Sequence, residues 1–259
     1  LIDPLLNSSV EDLRKYDAKF IFVCVPTPMN DNGSQDISIV LSVINDLKKI
    51  NYDGFIVLKS TVLPKYASEV NKIYKKFIYN PEFLREKHAN EDFINSDLIV
   101  FGGKREHCKK LSNFYSKYTR CISKEHLFMN IVSACIVKYA INSFLATKVI
   151  FFNELKGIFN KIDDNRDNNW QKILNAISSD SRIGPSHINV PGHDGRFGFG
   201  GACLPKDTTA LLKYSEGLGE EFKLLKTVIS VNNNLRAKYN ELTDREIQQN
   251  INYIDNSEE

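Results

Sequence analysis

The sequence predicts an α/β fold in which a parallel sheet is covered by helices. Short apolar runs rich in β-branched and aromatic residues recur between residues 19 and 120, and stretches with helical spacing of apolar residues follow them. The run of residues 20–25 is apolar throughout, as expected of a strand buried on both faces of a parallel sheet. These observations together favour repeated strand and helix alternation.

The predicted elements follow one another at short intervals. The first strand, residues 20–25, ends at Pro26-Thr27-Pro28, and Asp36 stands at the expected N-cap of the next helix. Further strands are predicted at residues 55–58, 77–79 and 98–101, and helices at residues 64–75 and 105–118. After residue 162 we predict helices at residues 170–177, 205–216 and 222–239, a glycine-rich loop at residues 184–201, and a polar tail from Thr243 that frays.

Residues 130–161 are predicted to form one long helix without proline. Apolar residues occupy nearly every side of it, so we expect it to be buried all round, between domains or between subunits. Lys138 and Asn142 are spaced i, i+4 and share one face. The lysine either extends its ammonium to solvent or is a buried cation directed at a site.

Composition excludes several classes of protein. The chain has 259 residues, 42% of them hydrophobic, and a formal net charge of +2, which excludes disorder and gives no basic patch for nucleic acid. No apolar run reaches the ~20 residues of a membrane span, and no signal peptide is recognisable, so we expect a cytoplasmic protein without membrane contact. Five cysteines without a CxxC pair, and histidines without ligand spacing, predict neither a disulfide framework nor a metal site.

Polar motifs follow three predicted strands. They are Pro26-Thr27-Pro28, Lys59-Ser60-Thr61 and the segment of residues 80–86. Each alone is compatible with ordinary turn chemistry. Because ligands bind at the carboxyl ends of strands in doubly wound sheets, three motifs at corresponding positions predict a ligand-binding edge.

A cysteine follows the glycine-rich stretch of residues 195–201. This stretch lacks the spacing and the preceding strand of a dinucleotide fingerprint, so we interpret it as backbone that approaches a ligand closely. Cys203 precedes Pro205, which places its thiol at a helix N-terminus with Lys206 three residues away. Both features favour the nucleophilic thiolate. The alternative, a small buried hydrophobe, is the interpretation we give to Cys24 and Cys135.

Several stretches, in this order, resemble the nucleotide-sugar dehydrogenase family, which includes the UDP-glucose and GDP-mannose dehydrogenases. They are Val25-Pro26-Thr27-Pro28, Lys59-Ser60-Thr61-Val62, Asn80-Pro81-Glu82-Phe83-Leu84-Arg85-Glu86, Lys138-Tyr139-Ala140-Ile141-Asn142, Arg182-Ile183-Gly184, and Gly198-Phe199-Gly200-Gly201-Ala202-Cys203-Leu204-Pro205-Lys206-Asp207. The segment of residues 185–195 is more similar to the UDP-glucose branch than to the GDP-mannose branch, which is the alternative within the family.

The resemblance implies an NAD-dependent four-electron oxidation of UDP-glucose to UDP-glucuronate. Cys203 would form a thiohemiacetal and then a thioester, and Lys138 and Asn142 would stabilise the oxyanion. Glu82 would act as acid or base, and Asp207 would assist water activation. The implied NAD contacts are Thr27, Ser60, Thr61, Glu86 and Lys206. The implied substrate contacts are Phe83, Leu84, Arg85, Lys138, Asn142, Arg182, Phe197, Gly198, Phe199 and Gly200.

The resemblance also implies an organisation and a partner. We expect the second half of a doubly wound Rossmann-like domain in residues 1–128, a central dimerisation helix in residues 129–162, and the start of an α/β nucleotide-sugar-binding domain in residues 163–259. A homodimer would form through the central helix, with Arg182 reaching the partner's site.

The chain departs from the family pattern at several positions. Nothing before Lys19 resembles the Gly-x-Gly-x-x-Gly on which the pyrophosphate of NAD rests, Cys135 stands where glutamate is usual, and Lys65 replaces a usual glycine. We therefore expect an internal portion that is inactive alone. A non-catalytic dimerisation or binding module is the alternative class, and the coding sequence upstream of Leu1 would discriminate the two.

Overall fold

The computed structural model describes residues 1–122, 125–162 and 166–253. Residues 163–165 and 254–259, which belong to the third predicted region, lie outside the described residues, as do residues 123–124 of the first. The chain divides into two compact units. The first comprises Leu1–Pro28 and Gln35–Lys138, and the second comprises Met29–Ser34 and the described residues from Tyr139 onward.

The first unit contains a five-stranded sheet in the order β1-β2-β3-β4-β5. Its strands are β1 (Phe20–Val23), β2 (Phe55–Leu58), β3 (Phe77–Tyr79), β4 (Leu98–Gly103) and β5 (Glu125–Met129). Phe20 pairs with Phe55 and Ile56 with Phe77, both in parallel register, and Leu98 pairs in parallel with Glu125. The predicted α/β class is confirmed.

β4 and β5 run opposite to β1, β2 and β3, so the prediction of a parallel sheet is wrong between β3 and β4. Ile78 of β3 pairs with Gly103 of β4 in antiparallel register. The connection between β3 and β4 consists of a loop, a 3-10 turn (Glu86–His88) and the short helix α3 (Ala89–Ile94). It returns to the sheet at the edge it left, whereas a parallel pair would need a full crossover.

β1 and β5 were less well predicted than the inner strands. β1 lies at the end of the strand order, and 38% of Phe22 is exposed, so this strand is not buried on both faces. Cys24, expected to be buried, is exposed just beyond it, because no further described strand covers that side. β5 was not predicted, since its largely exposed sequence Glu-His-Leu-Phe-Met alternates only weakly.

Helices cover both faces of the sheet in the first unit. They are α1 (Ser38–Lys49), α2 (Pro64–Ile73), α3 and α4 (Arg105–Tyr118), and further 3-10 turns occupy Pro4–Leu6 and Val10–Lys15. Asp36 lies one residue before the N-cap Ile37, yet its Oδ1 accepts the Ser38 N–H at 2.7 Å, so it still serves the start of α1. Along β2, Ile56 and Leu58 join one apolar cluster and Val57 joins another, as alternating side chains require.

The long helix α5 (Ile131–Ile162) continues from the first unit into the second. Within a single copy of the chain this helix is not buried all round, and its burial between subunits stays a prediction. Phe144, Phe151 and Ile158, spaced by seven residues, are 69%, 60% and 60% exposed. Among the described helices α5 is the one whose length and composition would permit a membrane crossing, and 44% of its most apolar window is buried within the protein.

The rest of the second unit, as far as the structure describes it, is built mainly from helices and the glycine-rich loop. Its helices are α6 (Arg166–Ser178), α7 (Leu204–Gly217), α8 (Lys223–Arg236) and α9 (Asp244–Gln248). Two apolar clusters stabilise it, one around Phe152, Trp170 and Leu174, the other around Ile150, Phe199 and Val228. The expected fraying from Thr243 is wrong as far as Tyr253, because Thr243 and Glu246 form a capping box that opens α9, and Glu246 is fully buried.

Candidate active site

The first group of predicted site residues lies where β1 and β2 end. Thr27 Oγ1 donates a hydrogen bond to the Thr61 carbonyl at 3.0 Å, and Ser60 Oγ donates to the Val25 carbonyl at 2.7 Å. Thr27, Ser60 and Thr61 are each less than one-tenth exposed. The structure therefore brings these three predicted NAD contacts together at the carboxyl edge of the sheet.

Gln35 joins the same edge and was missed by the sequence analysis. Its Nε2 donates to the Thr61 carbonyl at 2.8 Å, and its Oε1 accepts the Leu63 N–H at 3.0 Å. The side chain is buried and satisfies two backbone groups of the turn between β2 and α2. No sequence signal distinguishes it from a polar loop residue, since its partners lie more than 25 residues away.

Asn80 organises the turn that follows β3. It is fully buried, and its Oδ1 accepts hydrogen bonds from Lys59 Nζ at 3.0 Å and from the Tyr115 hydroxyl at 2.6 Å. Its Nδ2 donates to the Val100 carbonyl at 2.8 Å. Burial lowers the pKa of Lys59 to about 8. Lys59 and Asn80 belong to motifs that the sequence singled out, but their mutual contact depends on the pairing of β2 with β3.

Lys138 is a buried cation, which decides between the two interpretations of this lysine. It is 3% exposed, and its Nζ lies 2.6 Å from the Glu82 carbonyl oxygen and 3.4 Å from Glu82 Oε1. The Phe83 ring lies over the ammonium at 5.2 Å. The Glu82 carboxylate also accepts the Leu84 N–H at 2.6 Å, so residues 82–84 are held around the lysine.

Arg85 and Glu86 lie on the surface beyond this cluster. The Arg85 guanidinium pairs with Asp92, with 2.6 Å between Nη2 and Oδ1, and hydrogen bonds to this guanidinium hold the pKa of Asp92 at about 2. Both Arg85 and Glu86 are exposed. Of the predicted residues on this turn, Glu82, Phe83 and Leu84 gather around Lys138, and these two do not.

The second group lies at the start of α7. Cys203 is the N-cap residue of this helix, as the sequence predicts, and the structure shows that it is exposed. Three and four residues further along, Lys206 and Asp207 are buried, with 2.6 Å between Lys206 Nζ and Asp207 Oδ1. Asp207 Oδ2 accepts a hydrogen bond from Asn142 Nδ2 at 2.6 Å. A thiol at a positive helix end, followed along the helix by a buried ammonium and carboxylate, is suited to covalent chemistry on a carbonyl group.

Residues 197–200 are held by side chains that the sequence analysis did not select. Gly198 N–H donates to Asn153 Oδ1 at 3.0 Å, and Phe199 N–H donates to Asn232 Oδ1 at 2.7 Å. Within the protein this backbone lies close to the side chain of Arg236, and its approach to a ligand stays a prediction. The sequence does contain a signal for these side chains. Asn232 and Arg236 are spaced i, i+4 on α8, and Thr243-x-x-Glu246 is a capping-box pattern.

Arg182 lies apart from the contacts around Cys203. It is exposed, and its Nη2 pairs with Asp180 Oδ2 of the same turn at 2.6 Å. Lys148 of α5 donates to the Ile183 and Gly184 carbonyls at 2.8 and 3.2 Å, which fixes the backbone just after Arg182. The side chain is thus presented at the surface of its own chain.

The residues present fit part of a dinucleotide. Hydroxyl groups at the carboxyl edge of β1 and β2 match the position where doubly wound sheets bind ligands. The sequence contains no Gly-x-Gly-x-x-Gly, so the usual glycine turn for the pyrophosphate is not among its residues. Within the described part of the chain, no cluster of three or more His, Cys, Asp or Glu side chains could hold a metal ion.

Comparisons with known proteins cover both units. Residues 7–119 match the NAD binding domain of the UDP-glucose/GDP-mannose dehydrogenase family, and residues 132–234 match its central domain. The chain is 35% identical over 255 residues to the UDP-glucose 6-dehydrogenase of Rickettsia typhi, which covers 93% of this chain and 56% of that protein. It therefore spans about half the length of the curated relatives it matches.

Two solved structures extend the comparison to three dimensions. A UDP-glucose dehydrogenase from Pyrobaculum islandicum has a TM-score of 0.70 and 32% identity, over 83% of this chain and 50% of that one. A GDP-mannose dehydrogenase from Pseudomonas aeruginosa has a TM-score of 0.56 and 26% identity, over 86% of this chain and 52% of that one.

Proposed function

This chain belongs to the UDP-glucose/GDP-mannose dehydrogenase family, and from that premise we propose that the protein oxidises UDP-glucose to UDP-glucuronate with NAD. The observation that carries the proposal is the exposed Cys203 thiol at the N-terminus of α7, with Lys206 and Asp207 buried in the first turns of the same helix. The UDP-glucose branch is preferred because the curated relatives at 32–36% identity have that name.

Cys203 is the proposed nucleophile. Its thiolate bonds to the carbonyl carbon of the sugar aldehyde, and the carbonyl electron pair moves to the oxygen, which takes up a proton to give a thiohemiacetal. NAD, when bound, accepts a hydride in each of two oxidations, from the primary alcohol and from this thiohemiacetal. Water then attacks the carbonyl carbon of the resulting thioester and the carbon–sulfur bond breaks. The carboxylate is released, the Cys203 thiolate is regenerated, and the two protons of the water pass through an acid or base to solvent.

Lys138 and Asn142 are the proposed oxyanion stabilisers. An ammonium has three donors, and in the first unit Lys138 directs its Nζ at the Glu82 carbonyl and carboxylate, which leaves a further donor for a developing negative charge. Asn142 has two amide N–H groups, and Asp207 accepts from this nitrogen in the second unit. One N–H then remains to donate to the same charge.

The two carboxylates have proposed roles in proton transfer. Glu82 is held by Lys138 and by the Leu84 N–H, and its partly exposed side chain is suited to act as acid or base during thioester hydrolysis. Asp207 has both oxygens engaged, by Lys206 and Asn142. We assign it the orientation of the attacking water and of its two neighbours.

The binding contacts remain proposals. Thr27, Ser60, Thr61, Glu86 and Lys206 are proposed to contact NAD. Phe83, Leu84 and Arg85, together with Arg182 and residues 197–200, are proposed to contact the nucleotide sugar. The division into residues 1–128, 129–162 and 163–259 is proposed as the domain organisation. A cytoplasmic location is also proposed, and five cysteines without a disulfide framework support it.

A homodimer through α5 is the proposed assembly. Phe144, Phe151 and Ile158 form an exposed apolar stripe on this helix, and a second copy would remove it from water. Arg182 would have to leave Asp180 to reach the partner's site. That pair is exposed on the arginine side, so solvent screens it and opposes its opening only weakly.

The test uses the complete product of the reading frame with NAD and either UDP-glucose or GDP-mannose. We expect two NADH per UDP-glucose, UDP-glucuronate as product, and a smaller rate with GDP-mannose. Cys203→Ser should form no acid, whereas Cys24→Ser, which changes the other exposed thiol outside the proposed machinery, should retain activity. Faster turnover of GDP-mannose would favour that branch. No turnover of either sugar, or acid formation by Cys203→Ser, would contradict the proposal.

A further inference from the structure

We infer that Arg236 of α8 is a positioning residue that holds residues 194–201, the loop that leads into Cys203, in its working conformation. The inference concerns the geometry around Cys203 and rests on the proposed function for its kinetic consequence. Neither Arg236 nor its partner Glu246 is among the proposed catalytic or binding residues.

Arg236 is buried and bonded at both ends of its guanidinium. It is 2% exposed, with Nη1 2.7 Å from Asp194 Oδ2 and Nη2 2.7 Å from Glu246 Oε1. Asp194 opens the loop, and Glu246 is fully buried on α9. Because a buried charge is tolerated only when it is paired and hydrogen-bonded, this ion pair defines the position of both segments.

The loop backbone lies directly against this guanidinium. A Cβ on Gly200 would be 2.0 Å from Arg236 Nη2 and 2.5 Å from Glu246 Oε1. A Cβ on Gly198 would be 3.3 Å from Arg236 Cδ, and this residue has a φ of +77°. The glycines therefore allow the backbone to pack on the arginine, and a side chain at residue 200 would displace it.

The contacts continue to the residues next to the thiol. Gly201 N–H donates to Glu246 Oε1 at 3.2 Å, and Glu246 also accepts the Tyr253 hydroxyl at 2.5 Å. Burial acts to raise the pKa of Glu246, but hydrogen bonds from Tyr253, Thr243 and Gly201 lower it to about 2. The carboxylate is therefore charged at neutral pH, and it accepts the N–H of Gly201, two residues before Cys203.

These contacts connect Arg236, through Glu246 and Gly201, to the backbone next to the Cys203 thiol. Cys203 is the N-cap of α7, and the direction of its side chain depends on the backbone that enters the helix. Because a small misplacement of a reacting group can reduce a rate by about 100-fold, a loosened loop should impair the reaction before it unfolds the protein.

The experiment compares Arg236→Lys, Glu246→Gln and Gly200→Ala in the complete product of the reading frame. Lysine keeps the charge but loses the bidentate fork, and glutamine keeps the shape but loses the charge. Leu225→Ala is the matched control, since Leu225 is buried on the same helix but lies eleven residues before Arg236. Alkylation of Cys203 as a function of pH, followed by peptide mass spectrometry with Cys24 as internal reference, is measured together with kcat, KM and thermal stability.

We expect the three loop variants to shift the pH midpoint of Cys203 alkylation and to lower kcat about 10-fold or more, with KM for NAD unchanged. Leu225→Ala should lose stability without either change. Since lysine vacates the space of the guanidinium but the contact with Glu246 Oε1 remains, Gly200→Ala combined with Arg236→Lys should lose less than the two single changes added together.

A purely structural role for Arg236 would give a different result. If the loop variants lose stability but keep the Cys203 alkylation profile and kcat, as Leu225→Ala does, then Arg236 is only structural and the inference is wrong. If the unmodified protein turns over no nucleotide sugar, the proposed function fails, but the alkylation profile still decides whether Arg236 positions the thiol.

Discussion

Asn142 Nδ2 lies 2.6 Å from Asp207 Oδ2, and this hydrogen bond joins α5 to α7 through a carboxylate that is 1% exposed. The other oxygen of Asp207 accepts the Lys206 ammonium at the same distance. A carboxylate buried to this extent is stable only because one amide and one cation satisfy it. Its removal should therefore be felt by both partners.

Asp207→Ala should lower the free energy of unfolding by about 3 kcal/mol, because it leaves the buried Lys206 charge without its carboxylate. Glu216→Ala is the matched control on the same helix. It breaks the exposed pair between Lys213 and Glu216, 3.1 Å apart, and should cost less than about 1 kcal/mol. Urea denaturation of both variants checks the difference, and equal small losses would contradict it.

Lys59→Met should stabilise the protein at neutral pH. Burial lowers the pKa of Lys59 from 10.5 to about 8, so the unfolded chain binds more protons between these two values and stability rises with pH across that range. Below pH 8 the full penalty of burying the charge remains, at most about 3 kcal/mol, and methionine removes it.

The advantage of Lys59→Met should shrink as pH rises from about 8 towards 10.5. Chemical denaturation at several pH values measures it. Lys72→Met, at an exposed position on α2, is the control and should change stability by less than about 0.5 kcal/mol at each pH. A constant gap for Lys59→Met would show that its ammonium is not desolvated.

Native alkylation should separate the cysteines by exposure. Cys24 and Cys203 are exposed, whereas Cys108 and Cys135 are fully buried, and burial raises their pKa values to about 11 and about 12. Iodoacetamide at mildly alkaline pH should modify the first two in the folded protein and the others only after denaturation. Peptide mass spectrometry measures the order in which the cysteines are labelled. Early labelling of Cys135 would contradict its place in the core.

Gly157→Ala should raise the free energy of unfolding by about 0.5–1 kcal/mol, because Gly157 lies inside α5 and a Cβ there would meet no atom within 4 Å. Gly195→Ala is the paired variant. A Cβ there also meets open space, but the φ of +74° strains alanine and should cost about 1 kcal/mol. Thermal or urea unfolding of the two should give opposite signs, and equal signs would be inconsistent with this account.

Features that depend on neighbouring residues could be predicted from the sequence, whereas features that depend on distant residues could not. Cys203 at the start of α7 was predicted from Pro205, two residues away, because a helix N-terminus is a local feature. Arg236 was not predicted, because its partners are Asp194, 42 residues earlier, and Glu246 on another helix. Cys24 was predicted buried, but the composition of its run does not reveal that β1 lies at one end of the strand order.

The sequence by itself determined the inner strands β2 and β3, the helix α4, the position of the thiol and the family, since these depend on local periodicity, caps and motifs. Only the tertiary structure decided the antiparallel pairing of β4, the burial of Lys138 against Glu82, the exposed stripe on α5 and the ion pair of Arg236. The reason is physical. Strand direction, burial of a charge and its choice of partner depend on which distant segments meet, and a local pattern does not contain that information.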